Sequence, residues 1–367
     1  MSLTTRRSPR SAWVGWDVGG AHLKAAIVDD DGRALDAFQV PCALWRGPAE
    51  LEHALARALE RVDAAKGGAV IAAHALTMTG ELADCYPSRD DGVRSIVRQV
   101  GERLRAPASW FAGPRGFLDA AELERDGAAR AAVASMNWWA TAAWVAGRLG
   151  DAIVLDVGST TTDIVPLAGG IVAAAADDDA GRLAAGELVY GGVVRTPVMA
   201  LARSAPFGGR ASPLMAELFA TAADVYRLTG ELDERHDQHP AAAGGPKTAA
   251  GSARRLARML GRDLEAGTID AWRGVARAIR DEQLAQLVRA VRLVESRGIV
   301  AATAPLVAAG CGAFLAGEVG RRVGRGVVGF ASLLDAGGAE VDAMALAQCA
   351  PALATALLAR GIGAPRR

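Results

Sequence analysis

The chain has 367 residues, of which 51% are hydrophobic and 22% charged, and its 41 basic and 41 acidic side chains leave no formal net charge. That length suits about two domains, and the charge balance removes the global electrostatic argument for a nucleic-acid or anionic-membrane partner. The four cysteines, Cys42, Cys85, Cys311 and Cys349, include no C-x-x-C pair, so neither a zinc site nor a disulfide framework is indicated and a reducing cytoplasm is expected. Nothing approaches the ~18 consecutive apolar residues of a membrane span. The polar, basic Met1–Arg10 reads as a disordered lead-in rather than a signal peptide.

Structure is expected to begin with a short apolar strand, Trp13–Val18, that carries Asp17 near its end and runs into Gly19-Gly20. Leu23–Val28 is a second apolar run, Asp29-Asp30-Asp31-Gly32 a hairpin turn, and Ala34–Val40 a third strand that completes a meander. Ala49–Ala65 has helical periodicity, Val70–Met78 reads as a buried strand, and Gly92–Leu104 reads as an amphipathic helix. Ala120–Leu149 is an Ala- and Trp-rich helical stretch.

The opening pattern then recurs. Ala152–Val157 is again an apolar strand with a carboxylate, Asp156, before the Val157-Gly158 turn, a Ser159-Thr160-Thr161-Thr162 loop and a second strand. Asp17-Val18-Gly19 aligns on Asp156-Val157-Gly158 without a gap, and the strands on both sides stay in register, which indicates a duplicated domain. We therefore expect domains at 12–150 and 151–340. A polar insertion around 231–252 should be mobile or face the substrate. Helices are expected at Arg254–Gly261 and Gly274–Arg297, strands at Gly298–Ala302 and Pro305–Ala308, and a helix at Asp342–Arg360 that packs back on one domain.

The two Asp-Val-Gly turns carry the chemistry. A tight glycine turn lets backbone N–H groups converge on phosphate oxygens, and a carboxylate at the end of the preceding strand can hold Mg²⁺ directly or through water. Asp17 and Asp156 fit that role; Gly19, Gly20, His22 and Lys24 surround the first turn, and Gly158 with the hydroxyls of Ser159, Thr160, Thr161 and Thr162 the second. Either turn alone reads as a plain hairpin with an Asx turn, but two matched copies favour phosphate. Gly310-Cys311-Gly312, after an apolar strand and before an apolar helix, permits close backbone approach to a ligand; Cys311 reads as a small buried filler.

Thr79, Glu81 and Asp84 cluster where a first-domain strand should end. Glu81 is open between a general base and a helix-start residue. Tyr190, Arg195 and Thr196 follow another strand; Arg195 suits an anion or a structural salt bridge equally. His236 and His239 read as solvated, Arg254, Arg255 and Arg258 as a solvated basic face, and Asp177-Asp178-Asp179 as an exposed turn.

The trio Asp17–Gly20, Asp156–Asp163 and Ala309–Gly312 resembles the first phosphate, second phosphate and adenosine motifs of the actin, sugar-kinase and heat-shock-chaperone ATPase superfamily, in matching order along most of the chain. The Thr-Thr-Thr-Asp loop and Gly191-Gly192-Val193-Val194-Arg195-Thr196-Pro197 look like its hydantoinase/oxoprolinase-like branch. The implied fold is α/β: an actin-like ATPase fold of two duplicated ribonuclease-H-like domains with an interdomain cleft. More narrowly, Trp16–Lys24, Thr77–Asp84 and Tyr226–Gly230 resemble a small family linked to tetrahydromethanopterin one-carbon metabolism. Its archaeal members act in methanofuran biosynthesis, joining (aminomethyl)furanylmethyl diphosphate to the phenol of γ-glutamyltyramine with release of pyrophosphate. The resemblance implies those two small-molecule substrates, Mg²⁺, and no nucleic-acid or membrane partner, and leaves a homo-oligomer open. The alternative within the same fold is an ATP-dependent kinase or ATP-hydrolysing amide-bond enzyme, with Asp156 or Glu81 as base. A third reading is a non-enzymatic sensor whose cleft closure signals to a partner, distinguished by an absence of turnover.

Overall fold

A computed structural model describes residues 10–334 and 341–363; of the expected lead-in at 1–10, all but Arg10 lies outside them. The chain divides into two compact units, one running to Arg148 and resuming at Phe330, the other Leu149–Gly329.

The first unit is built on a six-stranded sheet. Its strands are β1 (Ser11–Val18), β2 (His22–Asp29), β3 (Ala34–Pro41), β4 (Val70–Met78), β5 (Ala108–Phe111) and β6 (Phe117–Asp119), in the order β3-β2-β1-β4-β5-β6. The three-stranded start is an antiparallel meander, and β4 and β5 add in parallel. Trp16, Val18 and Leu76 fill the core with the helix Ala49–Ala65, whose Leu51, Leu55, Ala58 and Val62 recur at helical spacing. Arg89–Arg103 is the second helix over this core, started by the Ser88 hydroxyl, which accepts from the Asp91 N–H. The C-terminal chain forms two helices, Ala343–Gln348 and Ala350–Gly363. The second lies so close over β1 that a Cβ on Gly15 would overlap the Ala352 carbonyl oxygen.

The second unit repeats the plan. Its strands are β7 (Ala152–Val157), β8 (Thr162–Ala168), β9 (Ile171–Val172), β10 (Leu188–Val189), a hairpin of β11 (Ser204–Phe207) and β12 (Arg210–Pro213), β13 (Leu306–Ala309) and β14 (Val327–Gly329). The main sheet has the order β10-β8-β7-β13-β14, with β9 also on β8. As in the first unit, an antiparallel pair leads and two strands add in parallel. The registers match as well: Asp17 faces Lys24 and Asp156 faces Asp163. The 27-residue helix Ile269–Glu295 buries Trp272, Val275, Ile279, Leu284, Leu287 and Val291 against the core. Two ribonuclease-H-like units of one topology give the α/β, actin-like ATPase fold.

Several local expectations change. The stretch 120–149 is three helices, Ala120–Arg125, Gly127–Val133 and Asn137–Leu149. Asp126 caps the middle one, and the last break carries Ser135 at φ 54, a left-handed value that a non-glycine residue rarely adopts. Residues 298–302 form no strand. His236 and Arg255 are buried rather than solvated. Arg255 donates to Asp224 Oδ1 from Nε at 3.0 Å and Nη2 at 2.5 Å, and to the Pro246 carbonyl at 3.2 Å. Arg227 reaches Glu234 and Asp237, and Lys247 the Asp237 carbonyl. The polar segment around 231–252 is thus tied to its own unit by charge-assisted hydrogen bonds, most of them part-buried. Among the described residues no helix is long and apolar enough to cross a membrane.

Candidate functional site

Each unit presents a glycine turn at the end of its first strand, and the two turns close identically. Gly19 N–H donates to the His22 carbonyl at 3.0 Å, and Gly158 N–H to the Thr161 carbonyl at 2.8 Å. Both are braced from behind. In the first unit, the Gly20 and Ala21 carbonyls accept from Leu44 and Cys42 N–H at 3.1 and 2.9 Å. In the second, the loop 191–196 does this more fully. Val193 N–H donates to the Gly158 carbonyl at 3.0 Å, Val194 and Arg195 N–H to that of Ser159 at 3.1 and 2.8 Å, and Gly192 N–H to that of Thr160 at 2.9 Å.

This bracing sorts donors from acceptors. The carbonyls of 158–161 are spent inside the unit, whereas the N–H groups and hydroxyls of the partly exposed Ser159, Thr160 and Thr161 have no partner among the described residues. Three successive N–H donors with three hydroxyls beside them are a set of groups that can bind an anion. Gly192 is required there, because a Cβ on it would overlap Ser159 and the Thr160 nitrogen. Thr162 and Thr196, expected to meet the ligand, are buried and spend their hydroxyls on the frame. Thr162 Oγ1 donates to the Gly191 carbonyl at 2.8 Å; Thr196 Oγ1 donates to the Thr160 carbonyl at 3.0 Å and accepts from Gly192 N–H at 2.8 Å.

Asp156, the penultimate residue of β7, is buried. Gly310, at φ 79, packs so close that a Cβ would overlap both the Val157 carbonyl and Asp156 Oδ1, and Gly312 N–H donates to the Val157 carbonyl at 2.8 Å. Packing against β7 therefore accounts for glycine at 310. Cys311 is buried, as a filler should be. The neighbour of Asp156 in register, Asp163, pairs with buried Arg182 at 2.9 Å. Arg195 is half-buried, and burial lowers its pKa. Tyr190, five residues earlier, is exposed.

In the first unit, Asp17 is 2% exposed. Lys24 Nζ lies 3.2 Å from its Oδ2, while Oδ1 is buried without a partner among the described residues. Thr77, its register neighbour on β4, likewise has a buried hydroxyl without a partner there. His22 is buried at the start of β2. Thr79 N–H donates to the Val18 carbonyl at 3.0 Å, which sets the loop after β4 against the glycine turn. Glu81 is 1% exposed: Oε1 accepts from Ser135 Oγ at 2.8 Å and sits 3.5 Å from Arg89 Nη2, which also donates to Ser135 Oγ at 2.7 Å. The strained Ser135 is thereby held by a buried carboxylate and an arginine.

Sequence reasoning assigned no role to Ser135, Arg89, Arg182 or Gln283. Gln283 alone left a readable trace, a polar residue on the apolar stripe of Ile279 and Leu287. Among the described residues no group of three or more His, Cys, Asp or Glu side chains is arranged to hold a metal ion. A metal here would need most of its ligands from phosphate and water, as Mg²⁺ commonly does, and the unpartnered Oδ1 of Asp17 fits such an ion or its water.

Comparison with known proteins follows the same lines. A family model for hydantoinase/oxoprolinase matches residues 72–349. The (4-{4-[2-(gamma-L-glutamylamino)ethyl]phenoxymethyl}furan-2-yl)methanamine synthase of Methanocaldococcus jannaschii is 34% identical over 253 residues, 69% of this chain and 72% of that protein. The synthase of the same name from Methanococcus vannielii is 33% identical over 112 residues, 30% of this chain and 50% of that one. Among solved structures, nucleotide-free acetone carboxylase is similar in fold, with a TM-score of 0.51 at 11% identity over 84% of this chain and 66% of that one.

Proposed function

This chain belongs to the hydantoinase/oxoprolinase family, and from that premise we propose that it is a transferase of methanofuran biosynthesis. It would condense (aminomethyl)furanylmethyl diphosphate with the phenol of γ-glutamyltyramine to an aryl ether and pyrophosphate. The two synthases it resembles carry the name of that ether product. The observation that supports the reading most is the Ser159–Thr161 turn, with its carbonyls tied back and its donors left for an anion.

The chemistry asks little else of the protein. The bond from the furanylmethyl carbon to the diphosphate oxygen breaks, and its electron pair leaves with pyrophosphate. The ring oxygen shares the positive charge on carbon. The barrier therefore lies mainly in stabilising the leaving charge, which preorganised N–H and O–H donors do without reorganisation. Ser159, Thr160 and Thr161 take this role in the second unit, with Gly158 shaping the turn. Within the first unit, Lys24 and the Gly19-Gly20 turn are that unit's own candidates for an anion. Mg²⁺, bound through Asp17 or Asp156, would supply further neutralisation of the diphosphate. The phenol oxygen forms the new bond to carbon and gives up its proton; with a reference pKa of about 10 it benefits from a base. Glu81 is the candidate, and Arg195 and Tyr190 are candidates for substrate contact.

On this reading the Ser159–Thr161 turn holds the substrate's diphosphate, and nucleotide is unnecessary. The test is pyrophosphate release from the furanylmethyl diphosphate with γ-glutamyltyramine and Mg²⁺, with and without ATP. Turnover in the absence of any nucleotide is the expected result. Strict ATP dependence with release of ADP would replace the reading with a kinase or an ATP-driven ligase.

A further inference from the structure

We propose that Tyr226 and Gln283 are positioning residues that hold the 191–196 loop behind the Ser159–Thr161 turn and so set the geometry of the anion site. Both side chains are fully buried. Gln283, on the long helix Ile269–Glu295, donates from Nε2 to the Gly191 carbonyl at 3.0 Å and to the Gly192 carbonyl at 3.1 Å. Tyr226, on the helix Ala222–Thr229, donates its hydroxyl to Gln283 Oε1 at 2.8 Å.

The arrangement admits one amide orientation. Two carbonyls need the NH₂ end, and the tyrosine hydroxyl then serves the oxygen end. Reversing the amide would set its oxygen against two carbonyl oxygens. The Tyr226 ring is itself fixed edge-on to Phe314, at 5.2 Å between centroids. From Gly191 and Gly192 the chain of bonds continues directly into the site. The Gly191 carbonyl also accepts from Thr162, and Gly192 N–H meets both the Thr160 carbonyl and Thr196 Oγ1. A glutamine 91 residues from Gly192 in sequence thus fixes the loop whose own N–H groups consume the carbonyls of the anion-facing turn. If that brace loosens, the carbonyls of 158–160 become free to turn toward the ligand, and carbonyl oxygens repel phosphate.

The link to ligand binding rests on the diphosphate reading above; the brace itself does not. Hydrogen exchange of the peptides covering 158–162 and 191–196, together with calorimetric binding of magnesium pyrophosphate, separates the two. Gln283→Leu keeps the bulk and removes the donors, Tyr226→Phe removes only the hydroxyl, and Val291→Ala, at a buried position two turns on in the same helix, controls for lost core stability. Faster exchange at Gly192–Arg195 is expected in Gln283→Leu, with pyrophosphate affinity lower by about tenfold, one broken hydrogen-bond equivalent in binding. Tyr226→Phe should change both in the same direction and less; Val291→Ala should lower Tm and change neither. Wild-type exchange in Gln283→Leu overturns the brace, and faster exchange with unchanged affinity overturns its link to the site. The same changes in Val291→Ala would reduce both residues to ordinary core. A wild type that does not bind magnesium pyrophosphate sinks the diphosphate reading, while the exchange result still decides the brace.

Discussion

Lys24 and Asp17 pair across β1 and β2 with Nζ 3.2 Å from Oδ2, and the pairing leaves Asp17 Oδ1 buried with no partner among the described residues. The equivalent position in the second unit holds Asp163, which Arg182 neutralises instead. A buried acceptor without a donor costs about 1–3 kcal/mol in the folded state, so a ligand or a metal-bound water reaching Oδ1 would recover that cost on binding.

Asp17→Asn keeps the shape and removes the charge. If Asp17 holds the metal of a diphosphate site, pyrophosphate release should fall by about 100-fold or more, on the scale of losing one electrostatic stabiliser, with the melting temperature little changed. Asp17→Ala should do the same. Equal rates in variant and wild type, measured at saturating Mg²⁺, would take Asp17 out of the reaction.

Gly20 and Gly192 make a paired test of ligand approach against internal packing. Nothing lies within 4 Å of where a Gly20 Cβ would stand, and its φ is not in the left-handed region. Gly20→Ala should therefore be structurally neutral, within about 1 kcal/mol, yet raise KM because the methyl occupies the space a phosphate needs. Gly192→Ala should lower stability and activity together, since its methyl would drive into the backbone of Gly158, Ser159 and Thr160. Thermal melts and steady-state kinetics on the two variants check this. An unchanged KM in Gly20→Ala would mean that no ligand comes near the first turn.

Glu81 can act as a base or as the brace of Ser135, and substitution distinguishes the roles. Gln at 81 still accepts from Ser135 Oγ but cannot take a proton. A catalytic base predicts that Glu81→Gln lowers kcat by about 10²–10⁴-fold and removes the acid limb of the pH–rate profile. A brace predicts near-normal kcat in Glu81→Gln and a loss only in Glu81→Ala, where the hydroxyl of the strained Ser135 loses its acceptor. The kcat of the Gln variant decides between them.

Strands with a clear local signal were legible in the sequence. The meander β1–β3 and the pair β7–β8 combine apolar runs with acidic or glycine turns, and the Asp-Val-Gly repeat fell in register because both copies sit at the same point of the same topology. Short strands were not legible: β5 and β6 have four and three residues and owe their form to neighbours. The Gly208-Gly209 turn of the β11–β12 hairpin, with both residues at positive φ, carries a local cue that four-residue strands on either side leave without a supporting apolar run. Burial of charge was illegible for a different reason. Arg255 is buried because Asp224, 31 residues away, faces it, and helical periodicity carries no information about a partner on another element. In the site, the turns themselves could be read, but not the division of labour among their hydroxyls. Thr162 and Thr196 differ from Ser159, Thr160 and Thr161 only in what the fold places opposite them.

His74 gives the fold a predictable response to acid. It is 2% exposed, its Nδ1 accepts from Trp16 Nε1 at 3.1 Å, and burial lowers its pKa to about 4 from an ordinary 6.5. Above pH 6.5 the imidazole is neutral in both folded and unfolded chains, and its contribution to stability is complete. As pH falls below 6.5 the unfolded chain takes up a proton that the folded one refuses until about pH 4, so stability is lost across that window. The loss should reach roughly 3 kcal/mol, at about 1.4 kcal/mol per pH unit. Carboxylates also destabilise the protein in acid, so the informative quantity is the difference between wild type and His74→Gln, whose side chain does not titrate. Urea midpoints measured from pH 8 to pH 4 should show the wild-type advantage holding steady down to about 6.5 and then shrinking toward the acid end. A gap of constant size would mean that His74 titrates alike in both states and that its burial is not felt as a proton-binding penalty.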